Sequence, residues 1–360
     1  MRVLQIVPSL PPSVSGVGDY ASVLGRAMEG KCQIESVFAV ANPQREFVSK
    51  TTDSPVLALR HSPEAVAQAA GEFDRVLVHY VGYGYEKRGC PFWLVRGLKA
   101  WSKSPPVRGL SSGKRLVTMF HELFAFGPPW RSSFWTHPAQ RWLCRKLALL
   151  SNGCVTNLAH SRDALQRLRR QEDVTQLPVF SNVGELATLP VSANRARRLI
   201  LFGSESWRRL AVTRDLPALN AACDILRISE VLDIGPGTVG QSKVSAGWRV
   251  MGALPASEVS RWMTDATAGF LSYPSHCLGK SSIFAAYAAH GLLPVLPARC
   301  LMENCDGLRP GEQFVTSNQL GTGTVSMTER VQRNIFDWYQ NHNVAVQAEC
   351  FGRLLAGGSD

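Results

Sequence analysis

The feature that most constrains this chain is the alternation of short apolar runs with longer stretches of helical spacing. The run Arg2–Val7 is followed by apolar residues at helical spacing over 18–28, and further β-branched or apolar runs occupy 75–79 and 115–120. Runs this short and this apolar are typical of buried parallel strands. The other predicted strands are 34–40, 154–157, 178–181, 199–202, 231–234, 248–251, 269–272 and 293–296. The pattern predicts the α/β class, with a doubly wound sheet in each half.

Chain length and a change in composition predict two domains. A chain of 360 residues exceeds what one hydrophobic core usually serves, and its apolar fraction of 45% is that of a globular protein. After Asn182 the sequence turns polar and basic through residue 198, and strand-like runs then restart. We predict an N-terminal domain of residues 1–190 and a C-terminal domain of residues 191–334. A helix at about 335–357 is predicted to pack back on the first domain.

The charge balance favours an anionic partner. The formal net charge is +11, but the cations are spread, and no zinc finger, RNP signature or basic tail predicts nucleic-acid binding. The nine cysteines lack metal-ligand spacing, and the opening run lacks a secretory signal, so we expect a cytoplasmic protein with reduced thiols. Arg141, Arg145 and Lys146 suggest peripheral attachment to the inner face of the membrane. The alternative is a solvated helix face.

The segment 278–282 is a candidate phosphate site because it lies between a predicted strand and a predicted helix. The hydroxyls of Ser281 and Ser282, the ammonium of Lys280 and the first N–H groups of the helix would together neutralise a diphosphate without a metal. Pro274 stands where a Walker A loop requires its first glycine, which disfavours a P-loop NTPase. In the alternative interpretation Ser281 only caps the helix and Lys280 is solvated.

The loop after the first strand contains Gly16 and Gly18, and amides at such a helix start attract anions. With Ala21 these glycines satisfy G-x-G-x-x-A, so a nicotinamide-dependent oxidoreductase is an alternative. Two facts disfavour it. The glycines follow a proline-rich excursion, and the strand at 34–40 does not end in the acidic residue that would hold a ribose. A flexible loop with a helix cap is the remaining alternative.

Two further candidates follow predicted strands. Arg208 and Arg209 come after the strand at 199–202, where either side chain could clamp a phosphate. The alternative is a pair of surface arginines on a helix. His121 directly follows the strand at 115–120, where it could donate to a substrate oxygen or shuttle a proton, or serve as a structural histidine. No HExxH, Asp-x-Asp or G-x-S-x-G motif predicts a metal or a serine nucleophile.

Taken in order, these segments resemble glycosyltransferase family 4. The resemblance rests on Pro11-Pro12 with the glycines at 16–18, on the strand ending in His121, and on segments 232–237, 252–262 and 286–295. It implies the GT-B fold, in which two Rossmann-like doubly wound domains face a central cleft, and sugar transfer with retention of configuration. It also implies that His121 lies beside the transferred sugar. The residues that it places around the nucleotide base are Gly235, Ala253, Leu254 and Glu258.

The sequence departs from that family at two glutamates, which usually flank the donor loop with seven residues between them. Leu278 and Ala286 occupy the matching positions, and Ser204 stands where an arginine is usual, although Arg209 matches its partner lysine. The resemblance implies a hexosyltransferase-like enzyme of polysaccharide or glycoconjugate biosynthesis. It would use a nucleotide-diphosphate sugar, no cofactor, and a glycan or lipid-linked acceptor. The alternative is a catalytically degenerate GT-B protein that binds nucleotide or glycan, or scaffolds an assembly complex.

Overall fold

The chain folds into two compact units, each built on a parallel β-sheet. The structure is a computed structural model that describes residues 1–13, 15–42, 54–105, 113–240, 243–321 and 324–357. Unit 1 comprises Met1–Pro178 and Val344–Asp360, and unit 2 comprises Val179–Asn343. The α/β class and the doubly wound sheet in each half are confirmed.

Unit 1 has a seven-stranded sheet with β1 near its centre. The strands are β1 Arg2–Val7, β2 Glu35–Val40, β3 Val56–Ala58, β4 Arg75–Tyr80, β5 Arg115–Phe120, β6 Gly153–Thr156 and β7 Thr175–Gln176. The helices are α1 Gly16–Cys32, α2 Pro63–Ala70, α3 Gly82–Tyr85, α4 Phe92–Lys103, α5 Ser132–Leu150 and α6 Ala159–Leu168, with the C-terminal α12 Val344–Ala356. The strand order is β3-β2-β1-β4-β5-β6-β7, and neighbouring strands run parallel. The order reverses between β1 and β4, where loops diverge and ligands bind in such sheets.

Unit 2 repeats this plan with six strands in the order β10-β9-β8-β11-β12-β13, again parallel. The strands are β8 Ala196–Phe202, β9 Glu230–Ile234, β10 Gly247–Gly252, β11 Ala266–Phe270, β12 Leu293–Leu296 and β13 Val315–Thr316. The helices are α7 Glu205–Thr213, α8 Leu216–Ile225, α9 Ala256–Asp265, α10 Ser282–Ala289 and α11 Thr324–Gln340. Here the order reverses between β8 and β11.

The strand predicted at residues 178–181 is wrong. The chain is irregular there, because Pro178 has no N–H to donate to a ladder and the next amides bond elsewhere. Val179 N donates to the carbonyl of Gly279 at 2.8 Å, and Ser181 N donates to the hydroxyl of Tyr339 at 2.7 Å. These bonds attach residues 179–181 to the turn before α10 and to α11 of unit 2, so the unit begins earlier than the predicted boundary at 190/191.

The C-terminal helical stretch is two helices rather than one. Helix α11 ends at Gln340 and α12 begins at Val344, and they belong to units 2 and 1 respectively. Helix α12 packs on α1, where Tyr20 donates to Gln347 Oε1 at 2.5 Å and Gln347 Nε2 donates to the Pro178 carbonyl at 2.6 Å. The C-terminal part of the predicted 335–357 helix therefore lies on unit 1 and its first turns lie in unit 2.

Among the residues that the structure describes, no helix combines the length and apolarity needed to cross a bilayer.

Buried neutral His290 makes the stability of unit 2 dependent on pH. Its Nδ1 lies 2.8 Å from the carbonyl of Ala286 and its Nε2 lies 2.8 Å from Ser260 Oγ, so the neutral ring is fully bonded. Burial lowers the pKa of His290 to about 4. Between about pH 6.5 and pH 4 the unfolded chain, with a histidine pKa of about 6.5, binds a proton that the folded state does not bind. The contribution of His290 to the unfolding free energy is therefore present above about pH 6.5 and is lost as the pH falls toward the folded-state pKa of about 4.

We expect His290→Gln to remove about 3 kcal/mol of the decline in unfolding free energy between neutral pH and pH 4. Urea denaturation followed at a series of pH values measures it. Ser260→Ala is the matched control, because it removes the hydrogen bond but keeps the imidazole and so keeps the pH dependence. An identical decline in wild type and His290→Gln would contradict the assignment.

Candidate functional site

The elements that could hold a ligand in unit 2 meet where its strand order reverses. The turn after β8 contains Gly203, which has φ +118°. A Cβ at this position would lie 2.4 Å from Cδ1 of Ile283, so the turn packs directly against the start of α10. Beside it, the rings of Trp207 and Tyr273 contact each other with centroids 4.8 Å apart. The starts of α7 and α10 thus lie together at this edge of the sheet.

Lys280, Ser281 and Ser282 lie at the start of α10, as predicted from their position between strand and helix. Lys280 ends a 3-10 turn that begins at Ser275, Ser281 is the N-cap, and Ser282 is the first helical residue. The hydroxyl of Ser281 accepts a hydrogen bond from the amide of Phe284 at 3.2 Å. Ser281 is therefore a helix cap, but its O–H can still donate. The first amides of α10 have no partner one turn earlier in the helix, so the end is suited to an anion.

Arg208 has a different role from the predicted phosphate clamp. The side chain is fully buried and forms an ion pair with buried Asp233. Its guanidinium also donates to the carbonyls of Gly203 at 2.9 Å and Gly237 at 3.2 Å, and to that of Pro236. Burial raises the pKa of Asp233, and Arg208 opposes that shift. Arg208 therefore fixes the turns after β8 and β9 and has no donors directed to solvent.

Arg209 lies on the surface of α7, where it forms an ion pair with Glu205 one turn earlier. Glu205 in turn lies against the turn after β9, since a Cβ on Gly237 would fall 2.2 Å from its Oε2. Residues two apart on a helix point in nearly opposite directions. Arg209 therefore faces the turn after β9, whereas Trp207 faces Tyr273 and the segment that leads to Lys280.

The residues predicted around the base lie at the carboxyl ends of β9 and β10. Gly235 has φ +149°, and a Cβ there would come within 2.1 Å of the Gly203 carbonyl. Its amide donates to the Gly252 carbonyl at 2.8 Å, which places Gly235 beside the chain leading into Ala253 and Leu254. Ala253 is exposed, Leu254 is half-buried, and Glu258 is exposed in the first turn of α9. Gly235 is thus required by packing, and the other three are accessible.

Ser272 lies two residues beyond the end of β11 and was not predicted as a site residue. Its hydroxyl is buried and has no hydrogen-bond partner among the described residues. Buried polar groups are normally bonded, so a lone hydroxyl at a ligand-binding edge is a candidate donor to a ligand. A serine that ends an apolar run was the available signal.

In unit 1 the predicted glycines occupy the first turn of α1. The helix begins at Gly16, and Ser15 caps it by accepting from the amide of Gly18 at 3.3 Å. A Cβ on Gly18 would lie 2.5 Å from the carbonyl oxygen of Ser9, so packing requires this glycine. A Cβ on Gly16 would meet no described atom within 4 Å. The open space at Gly16 leaves the backbone accessible to a ligand.

His121 follows β5 and lies at the end of a buried polar chain. Its Nε2 lies 3.2 Å from His79 Nδ1, and His79 Nε2 lies 2.8 Å from Gln5 Oε1. Gln5 Nε2 then donates to Ser36 Oγ at 2.8 Å. His79 and Gln5 are completely buried, whereas His121 is half-exposed. The chain connects the half-exposed ring to groups inside the sheet.

This chain of contacts fixes which ring nitrogens carry protons. Burial, with a smaller contribution from His121, lowers the pKa of His79 well below its usual value, so the ring is neutral. An amide oxygen accepts only, which requires a proton on His79 Nε2 and leaves Nδ1 as the acceptor. His121 must then donate from its own Nε2.

Tyr20 covers the two histidines from α1. Its ring packs edge-on at centroid distances of 5.0 Å from His121 and 5.9 Å from His79. Burial raises the pKa of Tyr20 well above its usual value, and its hydroxyl is bonded to Gln347 of α12. Neither Tyr20 nor His79 was predicted from the sequence. A histidine within the apolar run of β4 was the only available signal.

No group of three or more His, Cys, Asp or Glu side chains suited to a metal ion occurs in the described part of the chain.

Comparison with known proteins gives matches in structure only. No family model matches the sequence, and no curated protein matches it. HepE from Anabaena, solved in complex with UDP-glucose, matches with a TM-score of 0.62 and 10% identity over 99% of this chain and 100% of that chain. A glycosyltransferase from Rickettsia africae matches with a TM-score of 0.60 and 10% identity over 99% of both chains.

A third match is the lipopolysaccharide outer core galactosyltransferase WaaB in its apo form, with a TM-score of 0.54 and 11% identity over 99% of both chains. At these identities the likeness establishes the fold alone. The chain has the GT-B fold, two parallel-sheet α/β domains, as the resemblance implied. Membership of family 4 stays a prediction.

We expect nitrogen-15 NMR of labelled histidines to show that His79 is protonated at Nε2 and unprotonated at Nδ1 near neutral pH, and that His121 carries a proton on Nε2. Gln5→Leu removes the acceptor for His79 and should release that preference. Ser36→Ala is the control, because it removes only the far partner of Gln5. A wild-type His79 protonated at Nδ1, or charged at pH 7, would contradict the assignment.

Proposed function

We propose that this protein transfers a sugar from a nucleotide-diphosphate sugar to a hydroxyl of a glycan or lipid-linked acceptor. In this reaction the bond between the anomeric carbon and the diphosphate oxygen breaks, and a bond to the acceptor oxygen forms. The acceptor loses its proton, and the nucleoside diphosphate leaves with the bonding electrons. The protein's main task is to stabilise negative charge on the leaving diphosphate.

The start of α10 carries this proposal. This helix start lies where the strand order reverses, and it brings together the ammonium of Lys280, the O–H groups of Ser281 and Ser282, and the first amides of α10. Preorganised hydrogen-bond donors and one ammonium suit the negative charge of a diphosphate. These groups, and not a metal ion, would therefore neutralise the diphosphate. HepE, with the same fold, was solved with UDP-glucose, which supports a nucleotide sugar as the donor. Ala253, Leu254 and Glu258 are the proposed contacts for the nucleotide.

His121 and Gly16 are assigned to the transferred sugar. The chain through His79 holds the half-exposed His121 ring with its Nε2 edge directed inward, and the opposite edge of the ring is the part proposed to contact a hydroxyl of the sugar. The open space at Gly16 would admit the sugar close to the backbone of α1. Transfer with retention, as in the family that the sequence resembles, needs no protein nucleophile. A place in polysaccharide or glycoconjugate synthesis on the cytoplasmic side follows from that resemblance.

A second candidate function is binding without transfer. Leu278 and Ala286, at the positions where family 4 usually has glutamates, are both buried. Neither position therefore offers a carboxylate to the hydroxyls of the donor. A protein of this kind would retain the diphosphate site at α10 but bind nucleotide or glycan without turnover.

We expect Lys280→Ala to weaken binding of the matching nucleoside diphosphate about 10- to 100-fold, since a hydrogen bond to a charged group is lost. Isothermal titration calorimetry with a panel of nucleoside diphosphates measures this. Arg333→Ala, which removes an exposed cation from α11, is the control for net charge and should leave the affinity unchanged. Equal affinity of wild type and Lys280→Ala for every nucleotide would remove Lys280 from the site.

We expect His121→Ala to lower the turnover number about 100-fold while changing the affinity for the donor less. A mass-spectrometric screen of nucleotide sugars with candidate acceptors identifies the substrates first, and single-turnover rates then compare the variants. Nucleotide binding without transfer or donor hydrolysis under every condition would support the second candidate function and contradict the first.

A further inference from the structure

One segment of unit 1 carries most of the excess positive charge of the chain. Residues 87–162 contain thirteen Lys and Arg but one acidic residue, Glu122, whereas the whole chain has a net charge of +11. The cations on α4 and α5 include Arg96, Lys99 and Lys146, which are exposed. The remainder of the chain is therefore close to neutral, and the attraction for anions is local to this part of unit 1.

Helix α5 and the residues just before it expose large aromatic side chains. Trp130 and Trp135 are 83% and 72% exposed, and Trp142 is 49% exposed. Trp135, Trp142 and Leu149 are spaced seven residues apart on α5, so they form one stripe about 21 Å long. Lys146 and Arg145 flank the stripe, and the Lys146 ammonium lies 5.4 Å from the ring centroid of Trp142. We call this surface, with the adjoining side of α4, the basic aromatic face.

An apolar groove runs between α4 and α5 on this face. Its volume is about 400 Å³, and its lining includes Phe92, Trp142 and Leu149. Arg96 and Lys99 of α4 and Lys146 of α5 stand around it. A groove of this kind offers apolar depth surrounded by cationic groups.

Hydrogen bonds hold Trp135 and the segment that leads into α5. Trp135 Nε1 donates to the carbonyl of Pro129 at 2.8 Å, which places the adjacent Trp130 close to Trp135. The buried Gln140 of α5 accepts from the amide of Ala125 at 2.8 Å and also donates to the carbonyl of Arg88 at 3.0 Å. Trp135 is thus held in an exposed position, and exposed apolar area of this size is typical of an interaction surface.

We propose that the basic aromatic face docks on a bilayer that contains anionic lipid. Tryptophan rings suit the depth of lipid headgroups, with the apolar groove taking acyl chain and the surrounding Arg and Lys contacting lipid phosphates. Nucleic acid would satisfy the cations, but its phosphate backbone would leave the stripe of Trp135, Trp142 and Leu149 without an apolar partner. Docking needs no nucleotide sugar, so it stands apart from the proposed transfer.

The test is co-sedimentation with vesicles of phosphatidylcholine alone or mixed with phosphatidylglycerol, without any nucleotide. Wild type should bind the mixed vesicles, with salt weakening the binding, and should not bind phosphatidylcholine alone. Trp130→Ser with Trp135→Ser should weaken binding about tenfold. Arg96→Gln, Lys99→Gln and Lys146→Gln together should weaken it about 100-fold. Circular dichroism checks that each variant folds.

Matched controls lie on unit 2. Val250→Ser with Val325→Ser removes two exposed apolar side chains, and Arg249→Gln, Arg261→Gln and Arg333→Gln remove the same charge as the triple variant. Both should bind the mixed vesicles like wild type. The proposal is overturned if wild type ignores the mixed vesicles at low salt, or if the control variants lose binding equally. It is also overturned if the tryptophan pair affects only self-association in sedimentation velocity, or if only duplex DNA binds.

Discussion

Parallel pairing of the strands is the constraint on which both candidate sites depend. In each sheet neighbouring strands run the same way, so every strand ends at one edge and each following loop starts there. The order reverses at β1/β4 in unit 1 and at β8/β11 in unit 2, which separates two successive loops and opens a place for a ligand. His121 and the start of α10 owe their positions to this geometry. The residues of the loops at each edge then determine which groups are available to a ligand there.

Much of the fold followed from hydrophobic spacing, because strands buried on both faces are short apolar runs. The secondary-structure predictions were wrong where contacts with distant residues outweighed the local preference for a strand or a helix. Residues 178–181 look like a strand, but their amides bond Gly279 and Tyr339, which no local pattern encodes. The stretch before the C-terminus has continuous helical spacing, yet it breaks between Gln340 and Val344 because its two halves pack in different units.

The candidate site was predictable where one segment supplies all its parts, as at Lys280 to Ser282. It was unpredictable where partners come from distant segments. Arg208 and Arg209 are adjacent in sequence and equally basic, but a helix directs one to buried Asp233 and the other to Glu205 at the surface. His79 and Gln5 lie on separate strands, so their link to His121 exists only once the sheet has formed. Glycine likewise has several uses: Gly18 and Gly235 serve packing, whereas Gly16 leaves space.

Helix α12 gives unit 1 a discontinuous composition, with its first 178 residues completed by a helix that comes after all of unit 2. Gln347 on that helix supplies the bond to Tyr20, and Gly352 lies against Cys32 and Ile34. During synthesis the ribosome therefore releases the whole of unit 2 before the last element of unit 1 emerges. Until α12 has emerged, the Tyr20 ring that covers His79 and His121 lacks its bond to Gln347, so the nascent N-terminal half is an incomplete folding intermediate. A chain cut short before α12 would lose the helix that Tyr20 packs on beside His121 while keeping every residue of unit 2.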